Sequence, residues 1–121
     1  MDLRRDDGAA LLLLLTYSAN RRPPQRANPI IHATPTVQVD NDRVIVTEWR
    51  FAPGADTGHH VHAHDYVVVP LTSGTLRLVE PDGTREVQLQ AGVSYARMAG
   101  VAHNVINAND HDFSFVEVEL K

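Results

Sequence analysis

Four of the seven histidines lie in one six-residue run, His59-His60-Val61-His62-Ala63-His64. Successive side chains of a β-strand point to opposite faces, so an extended run would place His60, His62 and His64 on one face. Neutral imidazole binds zinc, copper, iron and nickel well, and histidine, with an ordinary pKa of about 6.5, is mostly neutral at pH 7. A His-x-His pair also occurs on strands that bind no ion, so the run by itself leaves both interpretations open.

The composition limits what kind of metal site this chain can form. It contains no cysteine, which excludes disulfide frameworks, thiolate zinc sites, iron–sulfur clusters and cysteine nucleophiles. Any metal must therefore be held by nitrogen and oxygen ligands. The net charge of −4 argues against a general nucleic-acid-binding protein, which normally carries a basic face. With 121 residues, of which 43% are hydrophobic, the chain can form one compact core.

The first 29 residues differ in charge from the rest of the chain. Residues 1–29 carry a net charge of +2 and residues 30–121 carry −6, with an Arg-Arg-Pro-Pro run near the boundary. We predict an N-terminal extension over 1–29, irregular or with a short helix, and a single domain over 30–121. The apolar run Ala9–Leu15 is too short for a bilayer, which needs about 20 residues. It is just long enough for a signal peptide, so export is the less favoured alternative, because the stretch before it mixes arginine with three aspartates where a basic lead is expected. We therefore expect a cytoplasmic protein that binds neither membrane nor nucleic acid.

The histidines must be positioned by short strands, because the rest of the chain alternates between β-forming stretches and turns. Pro81-Asp82-Gly83 predicts a hairpin turn, since glycine accepts a positive φ at little cost. After residue 30 no stretch of ten or more residues has helical periodicity. This pattern predicts an all-β sandwich or barrel. The predicted strands are Arg43–Phe51, His59–Leu71, Thr75–Glu80, Thr84–Leu89, Val93–Arg97, His103–Asn107 and Phe113–Leu120.

The spacing of glycines and histidines resembles the two sequence motifs of the cupin superfamily over roughly residues 35–120. Five residues separate Gly54 from His60-Val61-His62, and the other matching positions are Gly74, Gly92, Gly100, His103 and Asn107. The resemblance implies an antiparallel jelly-roll β-barrel with a metal bound inside by His60, His62 and His103. It implies a divalent transition metal, with iron(II) favoured and zinc, nickel or manganese as alternatives. The Asp-Tyr pair at 65–66 and the Val-Val-Val-Pro that follows resemble a branch of small bacterial cupins, some linked to β-alanine degradation.

The chain departs from these motifs where a carboxylate ligand is expected. Val67 stands where the family has glutamate, and Met98 stands where it has proline. Three histidines without a carboxylate leave a more cationic and more open site, similar to the three-histidine iron sites of the thiol dioxygenases. His64, Asp65 or Tyr66 could supply a replacement ligand, although Asp65 would need a β-bulge to turn inward. Loss of the glutamate is equally compatible with a barrel that binds a metal but has lost catalysis.

Several further residues have roles that the pattern leaves open. Tyr66 is a candidate hydrogen-bond donor or gate beside the metal. Arg97 is a candidate partner for a substrate carboxylate, but an outward Arg97 with Tyr95 in the core fits the strand equally well. Glu117 and Glu119 share one face of the last strand, which we expect to be the outer face. We expect His59 on the surface or rim and His32 and His111 in solvated loops.

The first hypothesis is a metal-dependent, dioxygenase-type enzyme that acts on a small organic acid, with open metal positions for substrate and O₂. The alternative is a cupin that binds a metal or small molecule without turnover. Cupin barrels are commonly dimers, and the apolar outer strand face around Val44 and Val46 needs cover, so we also expect a homodimer.

Overall fold

The computed structural model describes residues 29–121, which form nine β-strands and no helix. All strand pairs are antiparallel, which confirms the prediction of an all-β antiparallel jelly-roll barrel. The prediction for the N-terminal extension lies, apart from residue 29, outside the described residues. The strands are β1 (Thr34–Asp40), β2 (Val44–Phe51), β3 (His60–Val61), β4 (Asp65–Pro70), β5 (Gly74–Glu80), β6 (Gly83–Leu89), β7 (Tyr95–Arg97), β8 (Ala102–Asn107) and β9 (Phe113–Leu120).

The strands form two sheets. The five-stranded sheet has the order β1-β2-β9-β4-β7, and the four-stranded sheet has the order β3-β8-β5-β6. The C-terminal strand β9 lies in the middle of the larger sheet, between β2 and β4. Its pairing with β2 runs in one continuous register from Val44 opposite Leu120 to Phe51 opposite Phe113. Side chains on the inner face of β9 therefore point into the barrel.

The aromatic part of the core is built from β2 and β9. The ring centroid of Phe51 lies 5.5 Å from that of Phe115 and 6.5 Å from that of Phe113. Phe113, Phe115 and Glu117 are all buried, because residues two apart on a strand share a face. Along the inner face of β9, two buried phenylalanines are therefore followed by the buried carboxylate of Glu117.

Two features of the strands differ from the sequence prediction. β1 was missed. Its Val37 and Val39 alternate with polar residues, but Pro35 near its start weakens the strand signal, and none of its residues is buried. The predicted single run His59–Leu71 is divided into β3 and β4, which belong to different sheets. At the break, His62 N donates to Val101 O at 2.8 Å and Gly100 N donates to His62 O at 2.8 Å. The chain changes sheet here, so strand alternation does not continue from His62 to His64.

Two glycines lie at positions where any other residue would be strained or would displace a neighbouring side chain. Gly83 closes the predicted hairpin between β5 and β6 opposite Glu80, with a φ of +133° that L-residues rarely adopt. At Gly74 a Cβ atom would lie 2.7 Å from Asn109 Oδ1, so a side chain there would displace Asn109. That asparagine accepts a hydrogen bond from Thr75 N at 2.9 Å and donates one to Thr75 O at 2.9 Å. Both glycines therefore fix the ends of β5.

One edge of the larger sheet, formed by β1, exposes apolar side chains. Val37 and Val39 of the edge strand β1 are exposed, which leaves apolar side chains beside unpaired backbone groups. The homodimer stays a prediction. Within residues 29–121, no helix is long and apolar enough to cross a membrane.

Candidate metal centre

Three of the predicted ligands converge at one end of the barrel. His60 on β3 lies directly opposite His103 on β8, and His62 follows immediately after β3. The Nε2 atom of His62 lies 3.0 Å from Nε2 of His60 and 3.2 Å from Nε2 of His103. His62 and His103 are buried and His60 is half-buried. The three rings therefore present their Nε2 atoms to one point inside the protein.

The spacing of these nitrogens fits a shared metal ion. With metal–nitrogen bonds of about 2.1 Å, neighbouring ligand atoms lie about 3.0 Å apart in an octahedral site and about 3.4 Å apart in a tetrahedral one. The distances of 3.0 and 3.2 Å fall in this range. Three imidazole nitrogens suit iron, zinc and nickel.

The outer nitrogens indicate which ring atoms carry protons. His60 Nδ1 lies 2.9 Å from Gly58 O, which can only accept, so Nδ1 must be protonated and Nε2 of the neutral ring must carry a lone pair. His103 Nδ1 is buried without a hydrogen-bond partner among the described residues. A histidine that binds a metal through Nε2 keeps its proton on Nδ1, so this tautomer is compatible with both rings. The donor set therefore fits a transition metal.

The surroundings keep the two buried rings neutral. Burial, together with the neighbouring charges of His60 and Arg97, lowers the pKa of His62 to about 4. Burial likewise lowers the pKa of His103 to about 3, with contributions from His60, His62 and Arg97. Protons therefore do not compete with a metal for these two rings at pH 7.

Tyr66, rather than Val67, faces the histidines from β4. Tyr66 and Val68 are buried and line the cavity described below, so Val67, between them, lies on the opposite face of the strand. A glutamate at position 67 would therefore point away from the histidines. The ring of Tyr66 stacks on His62, with 3.8 Å between centroids and 18° between planes. Its buried hydroxyl has no hydrogen-bond partner among the described residues, and burial raises its pKa.

The expectation that Glu117 and Glu119 face outward is wrong. Glu117 is 8% exposed, and its Oε2 lies 3.7 Å from His62 Nε2, the nitrogen that faces the other histidines. Glu119 Oε2 lies 3.7 Å from His62 Nδ1, on the far side of the same ring. Burial raises the pKa of Glu117 to about 7, and the adjacent Glu119 adds to the shift. The alternation with Phe113 and Phe115 was the available signal, but the rule that carboxylates face water overrode it.

His64 is not part of this histidine group. The ligand atoms that lie within 4.8 Å of one another come from His60, His62 and His103, and from His62 with the two glutamates. His64 follows the break between β3 and β4 and is half-buried. Asp65 is also occupied elsewhere, because its Oδ1 accepts a hydrogen bond from Ala99 N at 2.8 Å. The structure thus brings neither residue to the triad as the fourth ligand considered from the sequence.

The remaining histidines lie where the sequence predicted. His32, His59 and His111 are exposed. Asn107, at the end of the second motif, is fully buried and donates from Nδ2 to the backbone oxygens of Phe51, Ala52 and His111. Its role is therefore to hold loops together.

A cavity of about 310 Å³ adjoins the centre, and His103, Tyr66 and Glu117 form part of its wall. Most of the other lining side chains are aliphatic or aromatic. Its remaining polar lining comes from Tyr95, Arg85 and Arg97. The cavity is large enough for a small organic molecule, and of the three histidines His103 lines it.

Arg97 lines this cavity, as its predicted role in binding a substrate requires, but it already has a partner. Arg97 Nη1 donates to Glu80 Oε2 at 3.0 Å, and Arg85 Nε donates to Glu80 Oε1 at 2.8 Å. The hydrogen bond from Arg85, with that from Arg97, lowers the pKa of Glu80 to about 2. One carboxylate therefore holds two guanidinium groups at the cavity, and this cluster keeps a net positive charge.

Comparisons with known proteins agree with this fold. Residues 47–119 match the family described as cupin domain. The chain is 67% identical over 89 residues to the beta-alanine degradation protein BauB of Pseudomonas aeruginosa, covering 74% of this chain and 94% of that protein. A cupin domain from Bordetella pertussis is 57% identical, with a TM-score of 0.77 over 78% of this chain and 98% of that one. A double-stranded β-helix protein from Klebsiella pneumoniae is 24% identical, with a TM-score of 0.63 over 82% and 81% of the chains, and shows the fold alone.

Proposed function

Because the chain belongs to the cupin superfamily, we propose that it is a metal-binding cupin in which His60, His62 and His103 hold one divalent transition metal. The observation that carries this proposal is the convergence of three Nε2 atoms at the spacing of ligands on one ion. Iron(II) is the favoured ion, with zinc, nickel or manganese as alternatives, because these metals accept imidazole and oxygen ligands.

We propose further that the centre is catalytic and performs dioxygenase-type chemistry on a small organic acid. The cavity beside His103 supports this proposal because it has room for such a molecule next to the ligands. The relative from Pseudomonas aeruginosa is named for the degradation of β-alanine, a small molecule with a carboxylate. A bound iron(II) ion would supply Lewis acidity and redox chemistry toward O₂.

The chain's own residues would bind and orient the acid. Arg97 uses Nη1 for Glu80, and a guanidinium group has five N–H donors, so donors remain for a substrate carboxylate at the cavity wall. The apolar walls would exclude water from the reacting end of the substrate. Tyr66, whose hydroxyl has no partner among the described residues, is placed to donate a hydrogen bond to a ligand in the cavity.

A non-catalytic binding protein is the second candidate. The observation that favours it is the ion pair between Arg97 and Glu80, which already compensates the charge proposed to bind the substrate. A barrel of this kind would hold a metal and a mainly apolar ligand without turnover.

Oxygen consumption separates the two candidates. The protein is loaded anaerobically with iron(II), transferred to air-saturated buffer and supplied with a panel of small carboxylic acids, while an oxygen electrode records uptake. We expect uptake with at least one acid and none with His60→Ala under the same loading. Absence of uptake across the panel, in a protein with one iron per chain, would reject the enzyme and favour the binding protein.

A further inference from the structure

Glu117 is a buried carboxylate without a basic partner. It lies on the inner face of the central strand β9 and lines the cavity. Within residues 29–121 no lysine or arginine forms an ion pair with it, and the nearest basic side chain is that of His62, whose Nε2 lies 3.7 Å from Glu117 Oε2. Burial of a carboxylate is strongly unfavourable unless a cation or several hydrogen bonds compensate it. The site therefore has an acidic group whose natural counter-charge is a metal ion.

The carboxylate of Glu117 lies close to one of the three converging histidine nitrogens. Its Oε2 lies 3.7 Å from the Nε2 atom of His62, on the side where the three histidines converge. Neighbouring ligand atoms on an octahedral ion lie about 3.0 Å apart, so the oxygen must approach His62 by about 0.7 Å. It must also swing toward His60 and His103, because the ligand atoms of Glu117 group within 4.8 Å with His62 and Glu119 and not with the other two histidines. Glu119 differs, because it approaches His62 at the outer nitrogen Nδ1.

The strand pairing explains why the carboxylate comes from β9. Tyr66 occupies the inward position of β4 next to His62, where its ring stacks on the imidazole. Glu117 lies opposite Val68 in the adjacent strand, and both side chains face inward. Val67 and its partner Val118 face the other way. A carboxylate can therefore reach the histidines from β9 at position 117, but not from position 67.

We propose that Glu117 is the carboxylate ligand of the metal centre, so that one glutamate from β9 joins the three histidines. Glu119, whose Oε2 lies 3.7 Å from His62 Nδ1, then acts as a positioning residue that attracts the Nδ1 proton and directs Nε2 toward the ion. One carboxylate reduces the charge of a divalent centre from +2 to +1 and leaves two octahedral positions open. This inference rests on the proposed metal centre, but its failure can be told apart from the failure of that centre.

The test measures zinc affinity at pH 7.5 by competition with a chromophoric chelator, using Glu117→Gln and the matched control Glu119→Gln. Glutamine keeps the size and the polar character of the side chain, but it has no charge. We expect Glu117→Gln to weaken zinc binding about 100-fold or more and Glu119→Gln to weaken it about 10-fold, as loss of an outer partner does. His103→Ala, which removes a histidine ligand, is included to test the centre itself.

Two further readouts report on Glu117 directly. Trp49 is the single tryptophan and lies opposite Phe115, two positions before Glu117 on the same strand face, so movement of Glu117 onto zinc should change its emission. We expect that change in the wild type and in Glu119→Gln, but not in Glu117→Gln. In the metal-free protein, Glu117→Gln should raise Tm by about 4 °C because it removes a buried charge. A residue with a purely structural role would not combine higher metal-free stability with weaker zinc binding.

The results separate failure of the Glu117 assignment from failure of the histidine centre. If zinc binds the wild type, His103→Ala abolishes binding and Glu117→Gln binds no worse than Glu119→Gln, the assignment of Glu117 is refuted while the histidine centre stands. If the wild type binds no zinc, both proposals are refuted. A structure of the zinc-loaded protein with a Glu117 oxygen about 2.1 Å from the ion would support the assignment, and one with Glu117 turned away would overturn it.

Discussion

Replacement of His103 by alanine should remove the metal-dependent part of the protein's stability. His103 supplies one of the three converging nitrogens, and its Nε2 lies 3.2 Å from that of His62. Without it, the site loses one of its three histidine ligands and binds the metal more weakly. The metal-free protein should tolerate the change, because His103 borders an existing cavity and leaves no buried hydrogen bond from Nδ1 broken.

The size of the effect follows from linkage between binding and folding. A metal present at 100 times its Kd stabilises the folded state by about 2.7 kcal/mol. For a domain of this size, 1 kcal/mol corresponds to roughly 4–8 °C in Tm, so the wild type should gain about 11–22 °C. If the substitution weakens binding about 100-fold, the same metal concentration gives about 0.4 kcal/mol, or roughly 2–3 °C.

Differential scanning calorimetry with and without zinc measures both values. His64→Ala is the matched control, because His64 belongs to the same histidine-rich run but lies outside the converging group. We expect His64→Ala to keep the full metal-dependent rise in Tm. A rise in His103→Ala equal to that of the wild type, or its loss in His64→Ala, would refute the assignment of the site.

Three other predictions concern the core and the cavity. Phe51→Ala should destabilise the protein by about 3–5 kcal/mol, measured by urea unfolding, because Phe51 packs on two other phenylalanines; a cost under about 1 kcal/mol would contradict the packing described. Glu80 has a pKa lowered to about 2, chiefly by Arg85. Its pairing therefore contributes stability above its unfolded pKa of about 4.3 and loses it as the pH falls toward 2. The difference in Tm between the wild type and Glu80→Gln should accordingly be present at pH 7 and shrink to nothing near pH 2, and a difference independent of pH would exclude the ion pair as its source. Arg97→Gln should weaken binding of a carboxylic acid about tenfold, measured by calorimetry, and leave binding of the corresponding amide unchanged; equal losses for both would argue against charge recognition.

Local sequence patterns were sufficient for much of the fold. The hairpin at Gly83 follows from backbone conformation within a few residues, and most strands follow from alternation of apolar and polar side chains. β1 was not found in this way, because Pro35 weakens the strand signal of an otherwise alternating segment and its pairing with β2 is visible only in the folded chain. The break after His62 was also hidden, because hydrogen bonds to Gly100 and Val101 cause it, and these residues are distant in sequence.

The sequence by itself limited a metal site to nitrogen and oxygen ligands, because it has no cysteine, and its resemblance to the cupin motifs implied His60, His62 and His103 as one centre. Only the tertiary structure showed which carboxylate lies beside these histidines. The motif placed the expected carboxylate ligand at position 67, but the side chain there faces away from the histidines. Glu117, which was expected on the surface, lies 3.7 Å from His62. The physical reason is that the face of a strand is set by its pairing in the sheet, and β9 pairs between two strands from much earlier in the chain.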